Sequence, residues 1–147
     1  LSVKPYITIA PSLPGVGGKN GIFIANSGVG PAFIKKAYIL ANGKEFNMAV
    51  NNWPAILAHL NLKNSCYAES WFKEGAALKS GQKITLIAPT TNPLGINCPV
   101  EFLKLLSARE LSLDIEYESI YGEEFRSSQR IGLAPQEAAR FKKLIGY

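Results

Sequence analysis

Apolar and polar residues alternate without a break from Leu111 to Tyr117. Leu111, Leu113, Ile115 and Tyr117 fall on one face and Ser112, Asp114 and Glu116 on the other. A period of two marks a strand buried on one side only. Tyr121-Gly122 turns the chain, and residues 123–128 return it as a second strand. Residues 5–10 (Pro-Tyr-Ile-Thr-Ile-Ala) and 21–26 (Gly-Ile-Phe-Ile-Ala-Asn) are short β-branched and aromatic runs bounded by turn residues, and both predict strands. Residues 32–40 predict another, closed by Asn42-Gly43. Asn-Gly between two such runs is a strong hairpin signal because both residues tolerate positive φ, and residues 44–46 form the short return. Gln82-Lys-Ile-Thr-Leu-Ile-Ala88 is a further strand, halted at Pro89.

Helical patterning is confined to three places. In residues 52–62, Asn52 is the expected N-cap, Pro54 sits in the first turn, and Ile56, Leu57 and Leu60 share a face. Residues 100–108 form a short amphipathic helix, and residues 134–144 a C-terminal one within a tail spanning 129–147. Residues 66–75 fit a strand or a short helix equally, residues 14–21 read as a glycine-rich turn, and residues 89–99 as a proline-rich loop. Strands recur after turn signals rather than alternating with helices. That argues for about seven strands in an antiparallel sandwich, with two or three helical insertions, and against a doubly wound parallel sheet. The Cys…Trp…Cys spacing of antibody domains is missing, which leaves an immunoglobulin-like topology open.

The chain has 147 residues, enough for one domain (1–147), and 47% of them are apolar, so disorder is excluded. Lys and Arg exceed Asp and Glu by 16 − 11 = +5. All of this excess lies in residues 1–65, which carry six lysines and a single acid, Glu45. The lysines are scattered and do not interleave with an aromatic strand motif, so a nucleic-acid partner is not expected. No cofactor motif is intact. Gly28-Val-Gly-Pro-Ala-Phe33 lacks the third glycine of a dinucleotide fingerprint and leads into a strand, and Gly18-Lys19-Asn20 fails as a phosphate loop.

Cys66 and Cys98 both lie among turn residues, and an even count predicts one disulfide and an oxidising compartment. The competing use of Cys66 is as a nucleophile activated by His59, the only histidine. His59, Cys66 and Cys98 lack the fourth ligand and the paired spacing of a zinc site. Glu116, Glu118, Glu123 and Glu124 could act as an acid–base pair or bind calcium, but they fit best as the solvated face of a hairpin. Trp53, Tyr67 and Trp71 are candidates for an aromatic-lined ligand pocket.

Asn26-Ser-Gly-Val-Gly-Pro-Ala-Phe-Ile-Lys35, followed by Asn42-Gly-Lys44 and by the late Tyr117…Tyr121-Gly-Glu123 hairpin, resembles a group of uncharacterised bacterial membrane-anchored proteins. These have an extracytoplasmic immunoglobulin-like β-sandwich, and the match covers residues 5–46 and 111–128. The resemblance implies a mainly-β, immunoglobulin-like fold, a periplasmic or cell-surface location and an N-terminal membrane helix; the opening on Leu1 rather than Met carries the expectation that an anchor or a signal peptide has been removed. The residues themselves explain the motif as architecture: Gly28 and Gly30 permit positive φ, Pro31 fixes φ, and Asn26 closes an Asx turn, together making a corner between sheets. The expected function is therefore noncatalytic binding or assembly with a protein partner or small ligand. A Cys66–His59 hydrolase and an aromatic-pocket module are the alternatives.

Overall fold

The computed structural model describes residues 4–13, 19–73, 75–90 and 98–146. The expectations for residues 14–18 and 91–97 lie outside these residues. The described residues form nine strands and three α-helices: β1 (Ile7–Ser12), β2 (Gly21–Asn26), β3 (Ala32–Ala41), β4 (Lys44–Asn47), α1 (Trp53–His59), β5 (Tyr67–Glu69), β6 (Ala77–Leu78), β7 (Lys83–Pro89), α2 (Cys98–Leu106), β8 (Leu111–Glu118), β9 (Glu124–Arg130) and α3 (Pro135–Ile145). The protein is mainly β, and every strand pair is antiparallel. One sheet runs β1-β2-β7-β5 and the other β4-β3-β8-β9, with β6 also joined to β3.

The alternation read in the sequence is the reason the sheets close on each other. Leu111, Leu113, Ile115 and Tyr117 of β8 face inward, as do Ala37 and Ile39 of β3. They join Ile7, Ile9, Ile22, Ile24 and Ile87 of the first sheet in one core. At about 1.5–3 kcal/mol for each fully buried Leu or Ile side chain, this shared core dominates the stability. The helices extend it. Trp53, Ile56 and Leu57 of α1 and Phe102, Leu105 and Leu106 of α2 are fully buried.

Two sheet edges are blunted by side chains rather than strands. The Gln129 amide lies along β1, its Oε1 accepting from Ile9 N–H (3.1 Å) and its Nε2 donating to the Ile7 carbonyl (2.8 Å). Tyr117 Oη accepts from Ile7 N–H (3.3 Å), and Pro11 has no N–H to offer. At the opposite edge, β5 turns Glu69 to the same face as its buried partner Ile87. One Glu69 carboxylate oxygen has no hydrogen-bond partner among the described residues, and burial raises this carboxyl above the ordinary glutamate range. An inward charge on a short edge strand opposes edge-to-edge pairing.

Several local expectations need correction. α1 covers 53–59, and the side chain that meets its first N–H belongs to Asn51 (Oδ1 to Trp53 N, 3.1 Å); Asn52 caps with its backbone carbonyl alone. Pro89 does not halt β7 but is its last residue, opposite Tyr67, on an edge pairing that does not use its missing N–H. Cys98 is not in a loop; it opens α2. The tail does not begin at 129, because Gln129 and Arg130 complete β9 against Leu113 and Ser112, and Ile131 and Leu133 are buried. Ser127-Ser-Gln-Arg130 has little β propensity of its own, so its strand exists through the pairing with β8.

Candidate functional site

The sequence candidates divide into those the fold consumes and those it leaves at the surface. Cys66 ends a single 3₁₀ turn (Asn64–Cys66) and bonds to Cys98 at the start of α2, Cα–Cα 5.0 Å, closing a loop of sequence separation 32. Its sulfur is therefore not a thiol. His59 is exposed at the end of α1, edge-on to Phe46 (5.7 Å between rings), with Nε2 3.4 Å from the Asn42 carbonyl oxygen. Cys66 and His59 thus do not form a nucleophile–base pair. Among the described residues, no group of three or more His, Cys, Asp or Glu is arranged to hold a metal.

The acidic hairpin is a mixed-charge sheet face. Arg126 on β9 forks onto Asp114 on β8 (Nε–Oδ1 3.2 Å, Nη2–Oδ2 2.8 Å) and reaches Glu116 at 4.0 Å. Lys35 meets Glu118 at 3.5 Å. The Arg126 hydrogen bonds hold the Asp114 carboxyl below the ordinary aspartate range. Of these pairs only Glu116 and Arg126 lie directly opposite in the register; Arg126 reaches Asp114 diagonally, and Lys35 stands in the bulge of β3.

The three aromatics do not line one pocket. Trp53 is fully buried in the core, and Tyr67 is buried with its hydroxyl donating to the Glu101 carbonyl (2.7 Å). Among the described residues, Trp71 is the one of the three that borders a groove. It stands T-shaped to Phe72 (5.3 Å, 72°), both half-buried. The groove, about 230 Å³, runs beside β3 and is lined by Lys35, Lys36, Tyr38 and Lys73 as well as these two rings. The signal that separates Trp71 from Trp53 is periodicity: Trp53 falls at helical spacing with Ile56, Leu57 and Leu60, and no such apolar set follows Trp71.

The Asn26 side chain fills all four of its hydrogen-bonding positions. Asn26 is 0% exposed. Its Oδ1 accepts from Tyr6 N (3.1 Å) and Gly28 N (3.0 Å), and its Nδ2 donates to the carbonyls of Gly30 (2.9 Å) and Leu78 (3.0 Å). One side chain thereby ties the approach to β1, the β2–β3 turn and β6. Gly28 has no room for a side chain: a Cβ would overlap the Lys4 carbonyl oxygen and the Tyr6 nitrogen, and would lie 2.6 Å from the Pro5 carbonyl carbon. Gly30 takes φ +78°. Pro31 leads into β3, so the four residues do link one sheet to the other.

This corner also fixes one end of the sheets. The approach to β1, the β2–β3 turn and the β8–β9 turn all emerge there, and they carry Tyr6, Val29, Ile120 and Tyr121, which are 57–75% exposed. Ser119 Oγ stiffens the β8–β9 turn by accepting from Tyr121 N and Glu123 N. In comparisons with known proteins, no family model, no curated protein and no solved structure matches this chain.

Proposed function

We propose that this chain is a noncatalytic extracytoplasmic domain of immunoglobulin-like type that works by binding or assembly. The observation that carries the reading is the Cys66–Cys98 disulfide. A persistent disulfide belongs to an oxidising compartment, and it occupies the sulfur that the hydrolase reading needs. The strand order supports the fold type. β1-β2-β7-β5 corresponds to the A-B-E-D sheet of an immunoglobulin domain, and β4-β3-β8-β9 to its C′-C-F-G sheet. α1, α2 and β6 are then insertions between C′ and F. Tethering to the inner membrane rests on the sequence resemblance.

The test is fractionation of cells producing the natural protein, combined with thiol titration of the denatured chain. The expected result is recovery with the periplasmic or membrane fraction, with no reactive thiol until a reductant is added. Recovery in the cytosol with both thiols reactive would end the proposal.

A further inference from the structure

Strand β3 is paired along the whole of one side by β8 but only in part along the other. β4 covers Tyr38–Ala41 and β6 covers Ala32–Phe33, so residues 34–37 have no strand beside them on that side. Isolated bonds close the ends of this gap: Ile34 N–H donates to the Ala76 carbonyl (3.1 Å), and Met48 N–H donates to the Ala37 carbonyl (2.8 Å). An antiparallel residue turns both its backbone groups to the same neighbour, so the Ala37 N–H and the Ile34 carbonyl also face the gap. The register shift between Ile34 and Lys36 is a bulge, which pushes two consecutive lysines out at this point.

The Trp71–Phe72 groove opens at this gap. Its charged lining is basic, although Lys35 and Lys36 also border a second groove with Glu116, Glu118 and Glu124, and Lys36 stands opposite Glu116 in the register. Lys35, Lys36 and Lys73 line it, and no acid does among the described residues. Lys35 is shared with Glu118, whereas Lys36 and Lys73 make no ion pair among the described residues. At about 230 Å³ the groove is smaller than the roughly 300–1,000 Å³ that encloses a small-molecule ligand. It has room for one or two side chains projecting from a larger partner. A stretch of strand with no neighbour on one side, an aromatic floor and nearby cations are the elements of extended-peptide recognition.

The geometry points to the groove between β4 and β6 as the docking site for an acidic, extended segment of a partner protein. An apolar side chain of the segment seats on Trp71 and Phe72, flanking carboxylates meet Lys36 and Lys73, and the segment's backbone meets the Ala37 N–H. This rests on the binding reading above and names the site and the partner's chemistry.

The experiment uses the oxidised protein and a short fluorescein-labelled peptide of alternating Glu and Val, titrated by anisotropy at low salt. A peptide with Lys in place of each Glu is the control. The Glu peptide is expected to bind and the Lys peptide not. Lys36→Glu with Lys73→Glu should weaken binding at least about tenfold. Lys63→Glu with Lys143→Glu, an equal change of net charge at exposed sites outside the groove, should weaken it by less than about threefold. Rising salt should weaken it further. No binding of the Glu peptide, equal binding of the Lys peptide, or equal losses from the two double variants would each overturn the site. Those failures leave the disulfide and the compartment untouched, whereas cytosolic protein with reactive thiols sinks the functional reading without affecting the peptide titration.

Discussion

Replacing Asn26 by alanine should cost this protein about 4 kcal/mol. The side chain makes four hydrogen bonds of 2.9–3.1 Å from a fully buried position. A neutral hydrogen bond contributes about 1 kcal/mol net, and a buried partner left unpaired costs about 1–3 kcal/mol. Three of the bonds border solvent, so water can replace them in part. The bond to the Leu78 carbonyl is buried, and Leu78 is itself 0% exposed. The assay is urea unfolding followed by tryptophan fluorescence, with Trp53 as a core reporter. With a slope of about 1–3 kcal/mol per molar for a small domain, the midpoint should fall by roughly 2 M. Asn26→Asp separates hydrogen bonding from packing. Its carboxylate keeps the acceptor role toward Tyr6 and Gly28 but faces the Gly30 and Leu78 carbonyls with no proton to donate. It should be at least as damaging at neutral pH and recover in part as the carboxyl protonates. A loss below about 1 kcal/mol for alanine, or an aspartate variant indifferent to pH, would show that Asn26 does not hold the corner.

The same corner makes Gly28→Ala severe, because the new methyl can be housed only by moving residues 4–6 and breaking the Val29 N–H to Lys4 bond (2.9 Å); melting unchanged from the parent would contradict the geometry. Removing the disulfide as Cys66→Ala with Cys98→Ala should lower stability by about 4 kcal/mol, from the loop of separation 32 that it closes, measured against the oxidised parent. Gln129→Ala strips two partners from the outer edge of β1 and should cost about 2 kcal/mol while raising concentration-dependent association, read by light scattering. Glu69 holds its proton more tightly folded than unfolded, so its contribution to stability falls as pH rises from the ordinary glutamate range through the raised folded value. Glu69→Gln should therefore stabilise the protein at neutral pH and flatten that part of its pH profile; a variant less stable at neutral pH would refute the assignment.

What could be read from the sequence follows from where the determining interaction lies. β8 was legible because its burial alternates along its own residues, and the Asn42-Gly43 hairpin because its turn chemistry is local: Asn42 and Gly43 both take positive φ. The corner was legible for the same reason, since Asn26, Gly28 and Gly30 are close in sequence, although the Leu78 carbonyl and the Tyr6 N–H that complete it are not. Some features are held by distant partners that local sequence does not supply. β5 lies in the segment that fits a strand or a short helix equally; it is three residues long and exists through pairing with β7. The last residues of β9 are polar, and Gln129 earns its place by bonding to a strand some 120 positions earlier. The aromatics differ locally: Trp53, which the core encloses, precedes Ile56, Leu57 and Leu60 by three, four and seven residues on one helix face, whereas Trp71, which borders the gap in β3, stands among the polar residues of 69–75. That gap is itself a product of pairing. It exists because β4 ends at Asn47 and β6 begins no earlier than Ala77, so the position of this groove is set by where two short strands stop. A binding site made this way leaves no motif, and its only trace in the sequence is the pair Lys35-Lys36 interrupting an otherwise apolar strand.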